Sequence, residues 1–179
     1  MFTQATENGI KNWGKSVSSK AVWASKRPID NSTKNAIINA KENIEVNSVQ
    51  YIGKINRYIY QQAATNKIIT DEVIITNNQI QHIVDRRGQE FYDEFKEYFS
   101  DIISNPDYIF KDKTDNTAIA SKTFAHKNTS VNLVVRLIVE GENPDYKNSI
   151  ITAIKENDKR FKQRLRNNKP IYKRVDNSE

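Results

Sequence analysis

The sequence predicts an α+β domain. Apolar residues recur at helical spacing as far as Ile102, and the period turns β-type after Asn105-Pro106. Beyond that point, apolar runs are joined by short turn-rich links, which favour antiparallel hairpins over crossovers. The expected layout is N-terminal helices packed on a four-stranded antiparallel sheet, closed by a C-terminal basic helix.

In chain order, residues 1–47 are rich in Ser, Asn, Lys and Thr, with Trp13, Val22 and Trp23 scattered and a break at Pro28. They read as a linker or accessory segment. Ile37, Ile38, Ala40 and Ile44 allow a weakly amphipathic helix over 31–46. The domain proper is expected over 48–176. Tyr51, Ile52, Ile55, Tyr58 and Ile59 fit a short strand or turn running into a helix, with Gly53 at the junction. Val73, Ile74 and Ile75 form a short β-type run. Thr76 followed by Gln79 is a capping box opening a helix whose apolar face is Ile80, Ile83 and Val84. Phe91, Phe95, Tyr98, Phe99 and Ile102 continue the helical period, which Asn105-Pro106 ends. Strands are expected at 108–111, 117–124, 131–140 and 149–155, separated by turn segments 112–116, 126–129 and 141–147. A charged helix over 157–167 turns Phe161 and Leu165 inward, and the tail holds Ile171 and Tyr172.

Composition narrows the function classes. The 179 residues carry a formal charge of +6 and no cysteine, so disulfide frameworks, thiol nucleophiles and cysteine metal sites are excluded. The N-terminus has no basic segment followed by an apolar run, and no apolar stretch approaches the ~20 residues of a membrane span. A soluble protein without a membrane anchor is expected. Nine basic residues against two acidic ones lie between Lys155 and Arg174, a distribution that suits a polyanionic partner.

Only two histidines are present. At about 100° per residue, His82 points away from the stripe of Ile80, Ile83 and Val84, and Arg86 follows at i+4 on the same face. An imidazole beside a guanidinium suits phosphodiester chemistry: one accepts a proton near neutral pH, the other clamps phosphate oxygens. The same spacing also describes a plain solvated helix face. His126 lies in a polar turn and reads as an exposed loop residue. The acids Asp93, Glu94, Glu97 and Asp101 read as the solvated side of a helix. No metal-ligand spacing and no glycine-rich phosphate loop occurs, so neither a metal nor a nucleotide cofactor is expected. In Asn148-Ser149-Ile150-Ile151-Thr152, polar residues surround two isoleucines at a strand start. Regular alternation sets Ser149, Ile151 and Lys155 on one face and Ile150, Thr152 and Ile154 on the other. Thr152 and Lys155 then project together only if the strand bends or bulges.

Four segments in order resemble the phage-associated branch of the barnase–EndoU–colicin–RelE-like nucleases. They are Tyr51-Ile52-Gly53-Lys54-Ile55-Asn56; Val73-Ile74-Ile75-Thr76 leading to Gln81-His82-Ile83; Asn105-Pro106-Asp107-Tyr108-Ile109; and Asn148-Ser149-Ile150-Ile151-Thr152 with a closing Ile171-Tyr172-Lys173. The resemblance spans about 49–174. It implies helices on a four-stranded antiparallel sheet and metal-independent RNA cleavage, in which a ribose 2′-hydroxyl attacks its own phosphodiester. It carries the family's helix histidine onto His82, its last-strand polar residue onto Thr152 with Lys155 just after it, and its closing tyrosine onto Tyr172. Where relatives often have a second histidine, this chain reads Arg86-Arg87. Arg86, Arg87 or Lys155 would hold phosphate, while the general acid stays unassigned. Lys159, Arg160, Lys162, Arg164 and Arg166 would bind the RNA backbone. The expectation is a toxin or phage-encoded ribonuclease acting in a cytoplasm on tRNA or another structured RNA, with an acidic immunity protein or antitoxin as a further partner. The alternative is a non-catalytic nucleic-acid-binding phage accessory protein.

Overall fold

The computed structural model describes residues 48–175. The expected accessory segment 1–47 and its helix over 31–46 lie outside the described residues. The elements run β1 (Val49–Lys54), α1 (Arg57–Tyr60), β2 (Glu72–Thr76), α2 (Asn77–Arg87), α3 (Gln89–Phe95), α4 (Phe99–Ser104), β3 (Tyr108–Lys111), β4 (Thr117–Phe124), β5 (Thr129–Arg136), β6 (Asn148–Asn157), α5 (Asp158–Asn167) and β7 (Tyr172–Lys173).

The fold is α+β, but the expected sheet is overturned. Seven strands form one mixed sheet in the order β1-β2-β6-β5-β4-β3-β7. The four expected strands are its contiguous antiparallel centre. β2 joins β6 in parallel through Val73↔Asn148 and Ile74↔Ser149, β1 pairs with β2, and β7 pairs with β3 at the far edge. The helices α1 to α4 follow β1 in the chain instead of preceding the sheet. The physical reason is that Val73–Ile75 and Tyr172-Lys173 are short extended runs whose partners lie far away in sequence, so their signals are local while their pairing is not.

Alternation along the central strands divides the core. Ile109, Ala118, Ala120, Val131, Leu133, Val135 and Ala153 face one way, into a cluster with Ile83, Phe95, Phe99, Ile102 and Ile103 from α2 to α4. Phe110 and Ile119 face the other way, with Val134, against Phe161 and Leu165 of α5. Full burial of each large apolar side chain contributes about 1.5–3 kcal/mol, so the first cluster dominates stability. α2 starts at the expected capping box: Gln79 N–H donates to Thr76 Oγ1 at 3.3 Å, and Thr76 N–H donates to Gln79 Oε1 at 2.8 Å. At its end Gly88 takes φ +90°, a conformation glycine adopts without strain, and turns the chain into α3.

β5 stops at Arg136, short of the expected strand end. The buried residues Leu137, Ile138 and Val139 leave the ladder and bond elsewhere. Ile69 N–H donates to Ile138 O at 3.1 Å, and Val139 bridges Ile68. Asn148, fully buried, holds this junction: Ile138 N–H donates to its Oδ1 at 2.8 Å, and its Nδ2 donates to Thr70 O at 2.9 Å.

Gly53 sits where β1 shifts register against β2 and where α4 approaches closely. A Cβ at this position would lie 2.7 Å from Ser100 Oγ, inside contact distance. Gly53→Ala should therefore lower unfolding stability by about 1–3 kcal/mol in urea titration, the usual cost of overpacking. Ser100→Ala in the same chain should recover only the part of the loss due to that contact, because the backbone at Gly53, φ +158°, strains any side chain; full recovery would contradict the backbone contribution.

Candidate nucleic-acid interface

α2 packs over the region where β2 leaves β6. β2 pairs with β6 only at Asn148 and Ser149, so the outer edge of β6 beyond that point lacks a strand. Ile83 is buried on the inward face of α2, and Arg87, one turn later, continues that face. Its Nε–H donates to the Ala153 carbonyl at 3.0 Å, closing part of the open edge. The guanidinium lies at the wall of an open cleft of about 570 Å³, lined also by Gly88, Gln89, Glu90, Phe91, Glu94 and Lys155.

Lys155 enters this cleft from β6. Its ammonium is 3.2 Å from Glu94 Oε2 and lies 5.1 Å from the centroid of the Phe95 ring. Lys127 reaches the other oxygen of Glu94 at 2.7 Å and sits 5.0 Å from the same ring. Lys127 and then Lys155 hold the Glu94 carboxyl below its ordinary value, against the opposing effect of desolvation. Lys127 and Glu94 were not among the candidates from the sequence. They come from separate elements, and no spacing rule links them. Glu94 is thus an ion-pair centre, and Asp93 and Asp101 likewise pair with Lys96 and Lys122.

His82 and Arg86 stand exposed on the outward side of α2. Neither has a hydrogen-bond or ion-pair partner among the described residues. Along the helix axis, His82 is five residues, about 8 Å, from Arg87. His126 is exposed in a short 3₁₀ turn, edge-on to Phe124 at 6.3 Å. Among the described residues, no group of three or more His, Asp or Glu side chains is placed to hold a metal ion. No helix there is long and apolar enough to cross a membrane.

The structure does not gather every residue singled out from the sequence. β6 does bulge: Val134 pairs with Thr152 and Val135 with Ile150, skipping Ile151. The bulge precedes Thr152, however, so regular alternation resumes before Lys155. Thr152 pairs with Val134 on the α5 side of the sheet, whereas Lys155 pairs with Val131 on the α2 side. The bulge also separates Ile150 from Thr152, which the regular alternation had placed together. Tyr172 is on the α2 side, half-buried against the main core, in the cross-strand row Tyr172–Ile109–Ala120–Leu133–Ala153. Four strand spacings, about 19 Å along the sheet, separate it from Ala153, where Arg87 docks.

The basic helix α5 covers the opposite face from α2. Lys159, Arg160, Lys162 and Arg166 are exposed there, with Lys162 paired to Asp158 at 2.7 Å. Arg164 is different. It donates through Nε at 2.9 Å and Nη2 at 2.6 Å to both oxygens of Glu156, which also accepts from the buried Asn132. The two side chains are 19% and 13% exposed, so Arg164 serves packing under α5 and is not available to a ligand. Its hydrogen bonds hold the Glu156 carboxyl below its ordinary value of 4.5, outweighing desolvation. A folded-state value below the unfolded one stabilises above pH 4.5 and loses that stabilisation as pH falls through the folded value. The stability gap between wild type and Glu156→Gln should therefore narrow as pH drops below 4.5. A gap independent of pH would contradict the assignment.

No family model, curated protein or solved structure matches this chain.

Proposed function

We propose that the domain is a metal-independent ribonuclease that cleaves RNA by 2′-hydroxyl transphosphorylation on the α2 side of the sheet. The observation that carries this reading is the unpartnered His82–Arg86 pair on α2, one helix with the Arg87–Lys155 cleft. Neutral imidazole at His82 takes the proton of the ribose 2′-hydroxyl as its oxygen attacks phosphorus. Arg86, on the same helix face as His82, offsets the charge that builds on the phosphate oxygens, and Arg87 and Lys155 in the neighbouring cleft hold an adjacent phosphate of the strand. The P–O5′ bond breaks, the departing oxygen takes a proton from water, and the products end in a 2′,3′-cyclic phosphate and a 5′-hydroxyl. Thr152 and Tyr172 have no part in this step, because one is on the other face and the other is four strands away. The ordered resemblance to the barnase–EndoU–colicin–RelE-like nucleases supports the same chemistry. On this reading the protein acts on RNA in a cytoplasm, and an acidic inhibitor is its natural antagonist.

Arg86-Arg87, where the family often has a second histidine, favours one other reading, a nucleic-acid-binding accessory module without catalysis. End analysis of treated RNA separates the two. Ribonuclease action leaves cyclic-phosphate termini, and a single 2′-deoxy substitution at the cut site blocks cleavage there. Cleavage of the 2′-deoxy substrate at an undiminished rate would rule out transphosphorylation.

A further inference from the structure

Asp107, Tyr108, Thr123, Lys173 and Arg174 enclose a pocket of about 230 Å³ on the edge of the sheet away from the Arg87–Lys155 cleft. Its volume is below the ~300–1,000 Å³ of clefts that take whole small molecules, so it suits one compact group. Strand pairing orients its walls. Lys173 pairs with Tyr108, Tyr108 with Ser121, and Thr123 is two residues beyond Ser121 on the same strand, so Lys173, Tyr108 and Thr123 share the α5 face.

On the α5 face of this pocket the free side-chain groups are donors. Asp107, the one carboxylate lining it, accepts from Thr123 N–H through Oδ2 at 2.8 Å; its buried Oδ1 accepts no hydrogen bond, and its charge is offset by Arg174, whose Nη2 is 3.3 Å away. The Lys173 ammonium and the Tyr108 hydroxyl have no partner among the described residues. The Thr123 hydroxyl has only a long 3.4 Å contact with Ser130 Oγ. The Tyr108 ring is fixed by neighbours, stacked on Phe110 at 6.3 Å and edge-on to Phe161 of α5 at 5.6 Å. The contact with Phe161 also sets the pocket beside α5, where Lys159 and Arg166 have no counter-ion among the described residues. A cation and two hydroxyl donors around a small volume, next to further free cations, match the tetrahedral oxygens of a phosphate.

We propose that the pocket bounded by Tyr108, Thr123 and Lys173 is a second phosphate subsite, which takes a phosphodiester of an RNA strand running along α5. This rests on the reading of the protein as RNA-directed. It adds that a substrate is held on both faces of the sheet, so a structured or long RNA is bound better than a dinucleotide.

The test is fluorescence anisotropy of the full chain with a short 2′-O-methyl RNA, which lacks the attacking hydroxyl and stays intact. Lys173→Gln and Tyr108→Phe should each weaken binding several-fold, and Lys173→Gln should reduce the slope of log affinity against log salt by about 0.7, one single-strand phosphate contact. Tyr108→Phe keeps the ring and its packing, so its effect reads the hydroxyl alone. Unchanged affinity and slope in both variants would overturn the subsite. Inorganic phosphate bound by wild type and lost in Lys173→Gln, with RNA affinity unchanged, would make it a small-anion site and also overturn the proposal. If RNA cleavage depends on His82 but neither variant affects binding, the subsite fails and the ribonuclease stands. If the variants weaken binding and no RNA is ever cut, the subsite stands and the ribonuclease falls.

Discussion

His82→Ala should slow RNA cleavage by about 10²–10⁴-fold, the usual contribution of a positioned general base, with little change in RNA affinity. On the proposed reading, affinity would come from cations that the substitution leaves in place: Arg86, Arg87, Lys155 and the exposed residues of α5. The fold should not suffer. His82 is exposed, α2 is held by its capping box and by buried Ile83, and alanine is the best helix former. A rate loss with an unchanged unfolding midpoint thus reports chemistry. Arg86→Ala should lower both rate and affinity, because a phosphate clamp contributes to ground-state binding as well as to the transition state.

The largest effect on stability should come from Asn148→Ala, with a loss of about 3 kcal/mol in urea titration, since each buried partner left unpaired costs about 1–3 kcal/mol. Both ends of this buried amide are used, accepting from Ile138 N–H and donating to Thr70 O. Ser149→Ala, one residue later, removes a side chain with no hydrogen bond of its own and should stay within about 0.5 kcal/mol. Equal effects at the two positions would mean that the segment acts through its backbone and not through the Asn148 amide.

These two residues mark how far the sequence could be read. Asn148 belongs to a segment notable from the sequence for its polar residues around two isoleucines, yet its structural duty involves Thr70 and Ile138, which no local pattern connects to it. Local signals were reliable. The Thr76–Gln79 capping box, the helix through His82, the strands Tyr108–Lys111 and Thr117–Phe124 and the inward Phe161 all follow from short-range spacing. Long-range pairing was not legible. β1 and β2 carry extended-type residues, but nothing in them says that β2 runs parallel to β6 for two residue pairs and then turns into α2. The sheet is wider than the four expected strands for that reason.

The candidate site divides along the same line. His82 and Arg86 share a helix face, which i,i+4 spacing predicts and the structure bears out. Whether Thr152, Lys155 and Tyr172 join them depends on sheet facing and strand order. The bulge at Ile151 is invisible to an alternation rule, and it falls on the wrong side of Thr152 to bring it beside Lys155. In sequence Arg164 is one more cation on a basic helix; in the fold Glu156, on the adjoining strand, claims it. Lys127 and Glu94 joined the site only through the fold.

The most direct test is incubation of purified wild type and His82→Ala with total bacterial RNA in EDTA. Discrete cleavage by wild type that disappears in His82→Ala is the predicted result. Intact RNA in both, under conditions where binding is measured, would contradict the ribonuclease reading, and equal cleavage in both would contradict His82 as its centre.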